Sequence, residues 1–317
     1  MNKRIAIAGC GVSGLSCAIR LQQAGYEVEI IADKRFDETT SAVAGAIWFP
    51  YEIHPQARAN AWSLTTYEVL KDLAEEEGSG VTMTDLRTYF ETEEDATWKG
   101  ALPQGSYAII PPATLPPGFP MGYEVKVPLC ESPVYLAYLF DRFQSEGGTL
   151  RIQKISDFDQ LLNAYDVVVN CTGLGSQQLL NDSEMYPIFG QLVKAPLQEG
   201  IGNTAAEMPV SDDPSETAYV IRRSNCLLLG GNAIKGRTRD QADQSLNEGI
   251  IDRCHRLIPE LDKPVTYTNH AGLRPGRSSV RLEREGKLVH NYGHGGGGYT
   301  VSWGCADEVL QLIQSIT

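Results

Sequence analysis

Three glycines near the start of the chain, Gly9, Gly11 and Gly14, restrict the fold more than any other feature. They follow KRIAIA at residues 3 to 8, a short β-branched apolar run with the character of a buried parallel strand. After them comes LSCAIRLQQAG, where Leu15, Ala18, Ile19 and Ala24 can line one helical face and Gly25 can stop the helix. YEVEIIAD then reads as a second strand, so the chain opens with a βαβ unit, the common start of a doubly wound sheet. In Gly9-Cys10-Gly11-Val12-Ser13-Gly14 the first glycine permits a tight turn, the second lets a pyrophosphate approach the backbone, and the third lets the helix pack on the strand. The helix N-terminus at Val12 and Ser13 offers unpaired amides and partial positive charge to phosphates. Asp33 lies nineteen positions after Gly14, at the end of the second strand, where a carboxylate binds ribose hydroxyls. Lys34 beside it would suit a 2′-phosphate, although a lysine at a strand end is more often simply solvated. These residues imply a dinucleotide and leave FAD and NAD both open.

Farther along, SAVAGAIWFPYE combines small residues with aromatics and proline, and a helical run follows from about Ala61 to Glu77 before Gly78. Residues 81 to 128, rich in proline and aromatics, read as strands and loops without helical period. A helix from about Pro133 to Glu146 precedes the strand LRIQKI, and YDVVVNCTGLGS returns to the buried-strand pattern of the first sheet. The region from 190 to 267 alternates strand-like pieces (QLVKAP, TAYVIRR, CLLLGG) with one long helix from about Asp240 to Leu257. KLVHNYGHGGGGYTVSWGCADEVLQLIQSI closes with a strand, a glycine run and an amphipathic helix.

At 317 residues and 42% hydrophobic content the chain can bury a sizeable core. No apolar run is long enough for a membrane span, and MNKRIAIAGC passes into a strand without a signal-peptide pattern, which points to the cytoplasm. A net charge of -13 disfavours nucleic acid and anionic membrane surfaces and leaves a small molecule as the expected partner. Seven cysteines without a C-x-x-C pair suggest buried thiols, with neither a disulfide framework nor a metal site.

Six segments resemble the FAD-dependent D-amino acid oxidases, D-aspartate oxidase included, within the wider glycine and sarcosine oxidase group. They are GCGVSGLS at the start, TTSAVAGAIWFPY at 39 to 51, VVVNCTG at 167 to 173, GQLVKAP at 190 to 196, GLRPGRSSVRLERE at 272 to 285 and HNYGHGGGGYTVSWGCA at 290 to 306. The resemblance implies an α/β fold, a Rossmann-type FAD-binding domain (1–52, 131–192 and 268–317) interleaved with an α+β substrate-binding domain (53–130 and 193–267). It implies FAD as the cofactor, with Thr39, Thr40 and Ser41 near the pyrophosphate, Ile155 near the adenine, and Gly45, Ala46 and Ile47 beside the flavin ring. The loop Gly293, His294, Gly295, Gly296, Gly297, Gly298, Tyr299 and Thr300 is similar to the one that covers the isoalloxazine, with a helix starting near Thr300 or Ser302 aimed at the flavin. His294 in so crowded a loop is expected to shape the backbone rather than act as a base.

On the substrate side the resemblance assigns the carboxylate to Arg274, helped by the Tyr219 hydroxyl, and the substrate amine to the Gly296 carbonyl, with Tyr51 lining the pocket. Arg277 and Arg281 are expected at the surface, and Arg222 and Arg223 in a hairpin turn. The family's second lid tyrosine has no counterpart near Ser215 and Glu216, and QEGIGNTAAEMPVSDDPSET carries five acidic residues and no lysine or arginine. Ala233 stands where D-aspartate oxidases carry a further arginine, so neutral side chains are expected over acidic ones. The expected activity is oxidative deamination of a D-amino acid by O2, giving a 2-oxo acid, ammonia and hydrogen peroxide, with a homodimer as an open assembly. Two alternatives stand beside it: a glycine or sarcosine oxidase or a dehydrogenase using another acceptor, and a non-catalytic dinucleotide-binding redox sensor.

Overall fold

The computed structural model describes residues 3–50, 52–90, 97–206, 213 and 215–315; Tyr51 and residues 207–212 of the expected lid lie outside these. The chain divides into two compact units, one of Met1–Val81, Cys130–Tyr186 and Arg274–Thr317, the other of Thr82–Leu129 and Pro187–Leu273. In chain order the first elements are β1 (Arg4–Ala8), α1 (Val12–Gln23), β2 (Glu27–Ala32), α2 (Gln56–Leu73), β3 (Val81–Phe90), β4 (Tyr107–Ile109) and β5 (Met121–Cys130). Then come α3 (Ser132–Ser145), β6 (Thr149–Ile152), α4 (Asp159–Ala164), β7 (Val167–Asn170), α5 (Gly175–Leu179), β8 (Tyr186–Ala195) and β9 (Asn203–Ala206). The remainder are β10 (Glu216–Arg222), β11 (Leu227–Asn232), β12 (Ile234–Lys235), α6 (Asn247–Leu257), β13 (Thr268–Gly276), β14 (Arg281–Glu285), β15 (Leu288–Tyr292) and α7 (Gly298–Gln314).

The first unit holds a sheet in the order β14-β15-β7-β1-β2-β6. Its members run parallel apart from β14, which pairs antiparallel with β15 at the edge. Strand β1 sits inside the sheet, and Ile5 to Ala8 are fully buried, as the continuous apolar run requires of a strand covered on both faces. Helix α1 buries Leu15, Ala18, Ile19 and Leu21; each large aliphatic side chain so buried contributes roughly 1.5–3 kcal/mol. Ala24 is exposed at the C-cap rather than part of that face, and Gly25 follows at φ +86°, the left-handed conformation that ends a helix without a Cβ penalty.

Helix α2 packs on α7 so closely that a Cβ at Gly304 would lie 2.3 Å from Trp62 Cα. Thr66 Oγ1 accepts from the amides of Trp303 (3.1 Å) and Gly304 (3.0 Å), and the Trp62 indole donates to Glu308 (2.6 Å). This docking groups residues 53–81 with the first unit and not with the substrate-binding domain that the resemblance implies for them. The helix also begins earlier than Ala61 because Pro55, in extended conformation, caps it at Gln56.

The second unit carries a sheet in the order β12-β8-β11-β10-β9-β3-β5-β4, with β13 also paired to β8. Helix α6 covers it, packing Ile250, Ile251 and Cys254 among Val193, Val220 and Leu229. It starts at Asn247 rather than near 240: Asp243 holds the amide of Ser245 and caps a short 3-10 stretch, Gln244–Leu246, and its own carbonyl accepts from Gln191 on β8 (2.8 Å). Among the described residues no helix is long and apolar enough to cross a membrane.

Candidate active site

The turn between β1 and α1 leaves no space for a Cβ at Gly9 or Gly14. Gly9 has φ +113°, and a Cβ there would lie 2.4 Å from the Cys171 carbonyl at the end of β7. A Cβ at Gly14 would lie 2.1 Å from the Gly9 carbonyl, so the third glycine is what lets α1 start directly above the turn. Gly11, the N-cap, faces Ser41: its missing Cβ would stand 3.0 Å from Ser41 Oγ, which accepts from the Val12 amide at 3.1 Å. Helix α1 has neither a side-chain cap nor an acidic residue in its first turn. Apart from the Val12 amide, which Ser41 holds, its positive end is therefore available to an anion.

A second uncapped helix N-terminus stands beside the first. Helix α7 begins at Gly298 with Gly297 as N-cap, without side-chain cap or acidic first turn, and a Cβ at Gly298 would come 3.9 Å from Val12 Cγ1. The helix thus starts two residues before Thr300, the nearer expected start. The side chains of that first turn are structural. Thr300 Oγ1 donates to the Phe49 carbonyl (2.9 Å) and accepts from its amide (3.1 Å), and the Tyr299 hydroxyl donates to the Ser41 carbonyl (2.8 Å). They draw the 39–49 segment along the helix end. Within that segment Thr39 Oγ1 donates to Phe36 O (2.7 Å), and Thr40 and Ser41 open a short 3-10 turn. Gly45 and Ile47 are half-buried on either side of Ala46, whose φ of +58° is unusual for a residue with a Cβ and costs roughly 1–2 kcal/mol. The Ala46 carbonyl accepts from the Cys130 amide (3.0 Å), which helps hold that conformation.

Asp33 and Lys34 are exposed directly after β2. Ile155, beyond β6, is half-buried against the cluster containing Ala6, Ala8, Phe158 and Val168.

Strand β13 brings Arg274 to the glycine loop. A Cβ at Gly296 would lie 3.7 Å from Arg274 Cδ, and the Gly295 amide donates to the Pro275 carbonyl (2.9 Å). Arg277 is not a surface residue: its side chain is 13% exposed and pairs with Asp182 (3.0 Å) and Glu184 (2.9 Å). Asp182 also accepts from the Tyr292 hydroxyl (2.7 Å); burial pushes its carboxyl upward, but the bonds from Tyr292 and Arg277 outweigh that and hold it below the usual range. Arg281, 18% exposed, pairs with Glu283 and Glu285. Sequence patterning misses this network because its members stand about 90 residues apart and each looks like ordinary surface charge.

His294 is buried, which pushes its imidazole down to about 4. Nε2 meets Asn291 Oδ1 at 2.9 Å, while the Asn291 amide nitrogen donates to Cys17 Sγ (3.2 Å), so the neutral ring carries its proton on Nε2. A neutral donor fixed in the loop wall is a structural group and not a base. Since the unfolded chain titrates near 6.5, it binds the extra proton between 6.5 and about 4. The stability that His294 provides above pH 6.5 is therefore lost as pH falls toward 4, by roughly 3 kcal/mol. Melting temperatures across that range should fall less steeply in His294→Gln than in the wild type; equal slopes would refute the assignment.

In the second unit Tyr219 on β10 faces Gly230 on β11. A Cβ at Gly230 would lie 2.1 Å from Tyr219 Cζ, so the ring lies across the glycine pair Gly230 and Gly231. Arg222 ends β10, donating to the carbonyls of Gln198 (2.7 Å) and Ile201 (3.1 Å), and the Arg223 amide closes the turn onto Cys226 (2.9 Å).

The family model described as FAD dependent oxidoreductase matches residues 4–312. The chain belongs to this FAD-dependent oxidoreductase family. It is 38% identical to the D-amino-acid oxidase of Rubrobacter xylanophilus, over 98% of this chain and 95% of that protein. It is 33% identical to the D-aspartate oxidase of Homo sapiens, over 98% of this chain and 94% of that one. Glycine oxidase from Geobacillus kaustophilus has the same fold, with a TM-score of 0.79 at 17% identity over 99% of this chain and 95% of that one. An FAD-dependent oxidoreductase needs a seat for a pyrophosphate and a donor for an electron-rich ring edge, and the adjacent positive ends of α1 and α7 meet both needs. FAD is its cofactor, and the chain is a flavoprotein enzyme.

Proposed function

We propose that this enzyme oxidatively deaminates D-amino acids with neutral side chains. The observation that carries the reading is Arg274 alongside Gly296: a guanidinium fork beside a backbone with no side chain offers a carboxylate site next to the glycine loop. Arg274 binds the substrate carboxylate through paired N–H groups, the Tyr219 hydroxyl donates to the same carboxylate, and the Gly296 carbonyl accepts from the amine. Gly9, Gly11, Val12, Ser13, Gly14 and Thr39–Ser41 hold the pyrophosphate, Asp33 the ribose, Ile155 borders the adenine, and residues 45–47 and 293–300 enclose the flavin. Bound FAD would supply the two-electron oxidant for the substrate's α-carbon and would itself be reoxidised by oxygen, with hydrogen peroxide as product. The chain contributes orientation, and no side-chain acid–base pair is needed, in keeping with a neutral, buried His294.

Preference for neutral substrates is supported by three arginines of the second unit that are engaged with other groups. Arg222 serves two backbone carbonyls, Arg237 pairs with Asp243 (3.3 Å), and Arg253 pairs with Glu216 (2.5 Å). Under anaerobic conditions D-alanine is expected to bleach the bound flavin and L-alanine to leave it yellow, with peroxide released once oxygen is admitted. Bleaching by glycine or sarcosine in preference to D-alanine would move the enzyme to the glycine oxidase class, and no bleaching by any amino acid would overturn the reading.

A further inference from the structure

Strand β10 reaches Tyr219 just after an irregular piece of ladder: Tyr219 itself pairs with Gly230 on β11 and Ala205 on β9, but the pairing with β11 slips between Glu216 and Tyr219, so the approach to Tyr219 is held less regularly on that side. A single side chain from α6 bridges the slip. The Arg253 guanidinium, only 4% exposed, donates through Nε to the Thr217 carbonyl (3.1 Å) and through Nη2 to the Gly231 carbonyl (2.9 Å), while Nη1 pairs with Glu216 (2.5 Å). Thr217 lies two residues before Tyr219, and Gly231 adjoins the glycine opposite it. The next helix residue reinforces the same spot: Cys254 Sγ donates to the carbonyls of Tyr219 (3.4 Å) and Gly230 (3.3 Å), and burial pushes that thiol up to about 12, so it keeps its proton. A Cβ at Gly249, one turn earlier, would lie 3.2 Å from Arg253 Nη1; the helix leaves room for the guanidinium.

A buried charge is costly, and an apolar side chain of similar length would fill this position in the core at least as well. What an apolar chain cannot do is hold three acceptors in fixed directions. We propose that Arg253 is a positioning residue for substrate binding: clamped to Glu216, Thr217 and Gly231, it fixes the strand pair that presents Tyr219 to the substrate carboxylate. The proposal rests on the reading of Tyr219 as a carboxylate ligand.

The test uses the FAD-loaded enzyme, with D-alanine as substrate and propionate as a non-reacting carboxylate probe whose Kd is read from the flavin spectrum. Arg253→Lys keeps a charge for Glu216 but loses the fork to Thr217 and Gly231. It should raise KM and the propionate Kd about tenfold while kcat stays within about twofold. On a Tyr219→Phe background the same change should have less than about a twofold effect, because the group it positions is already gone. Should Arg253→Lys fail to fold, Glu216→Gln, half-exposed and milder, carries the test with an expected rise of about threefold in the same two constants. Unchanged KM and Kd in a folded variant, or an undiminished effect on the Tyr219→Phe background, would overturn the proposal. A wild-type enzyme inert toward D-alanine would instead overturn the reading beneath it.

Discussion

Gly14→Ala is expected to yield a protein that no longer retains FAD. The added Cβ would stand 2.1 Å from the Gly9 carbonyl oxygen and 3.0 Å from its carbon, and these are backbone atoms that cannot rotate away. Helix α1 must lift or the turn must open, and either movement shifts the first-turn amides from the pyrophosphate. Overpacking of this kind costs about 1–3 kcal/mol, and if the loss falls on the cofactor-binding geometry it lowers FAD affinity by about ten- to a hundredfold. Bound flavin per chain after gel filtration, with melting curves in the presence and absence of added FAD, reads the effect. A variant that stays yellow and melts like the wild type would show that this turn does not hold the cofactor.

Arg274→Ala should leave the flavin in place and remove substrate binding. A paired guanidinium–carboxylate contact truncated on one side costs about 2–5 kcal/mol, so kcat/KM for D-alanine should fall by about two to three orders of magnitude, mostly through KM. Arg274→Lys should recover only part of that loss, because an ammonium supplies the charge without the fork. The side chain lies along Gly296, whose backbone belongs to the glycine loop, so flavin content must be measured beside the kinetics. Wild-type KM in Arg274→Ala would take the carboxylate away from this residue.

Much of the first unit was readable because its signals are local. The strand, the three glycines and the helix they start lie within some twenty residues; Gly9 and Gly14 face backbone atoms that exclude a Cβ, and Gly11 fits closely against Ser41. The α/β fold and the parallel order of β1, β2 and β7 followed from the same periodicity. What patterning could not supply was long-range docking. Residues 56–73 form an ordinary amphipathic helix whose partner, α7, comes over 200 residues later, so the boundary between units was drawn too early. Arg277 looked solvated for a similar reason: Asp182, which buries with it, is 95 positions away. The side chains of Tyr299 and Thr300 bind the carbonyls of Ser41 and Phe49, contacts between distant segments that the glycine motif does not reveal.

The first unit's weave also orders events during synthesis. Its fingerprint turn is made within the first fourteen residues, but β15, which covers the open side of β7, and α7, which packs against α1, come from residues 288 to 314. The proposed cofactor seat therefore closes only once residues 288 to 314 have joined elements formed about 250 residues earlier in the chain. Until then the β7 edge and the apolar face of α1 stand uncovered, so on the proposed seat flavin binds firmly only after β15 and α7 have docked.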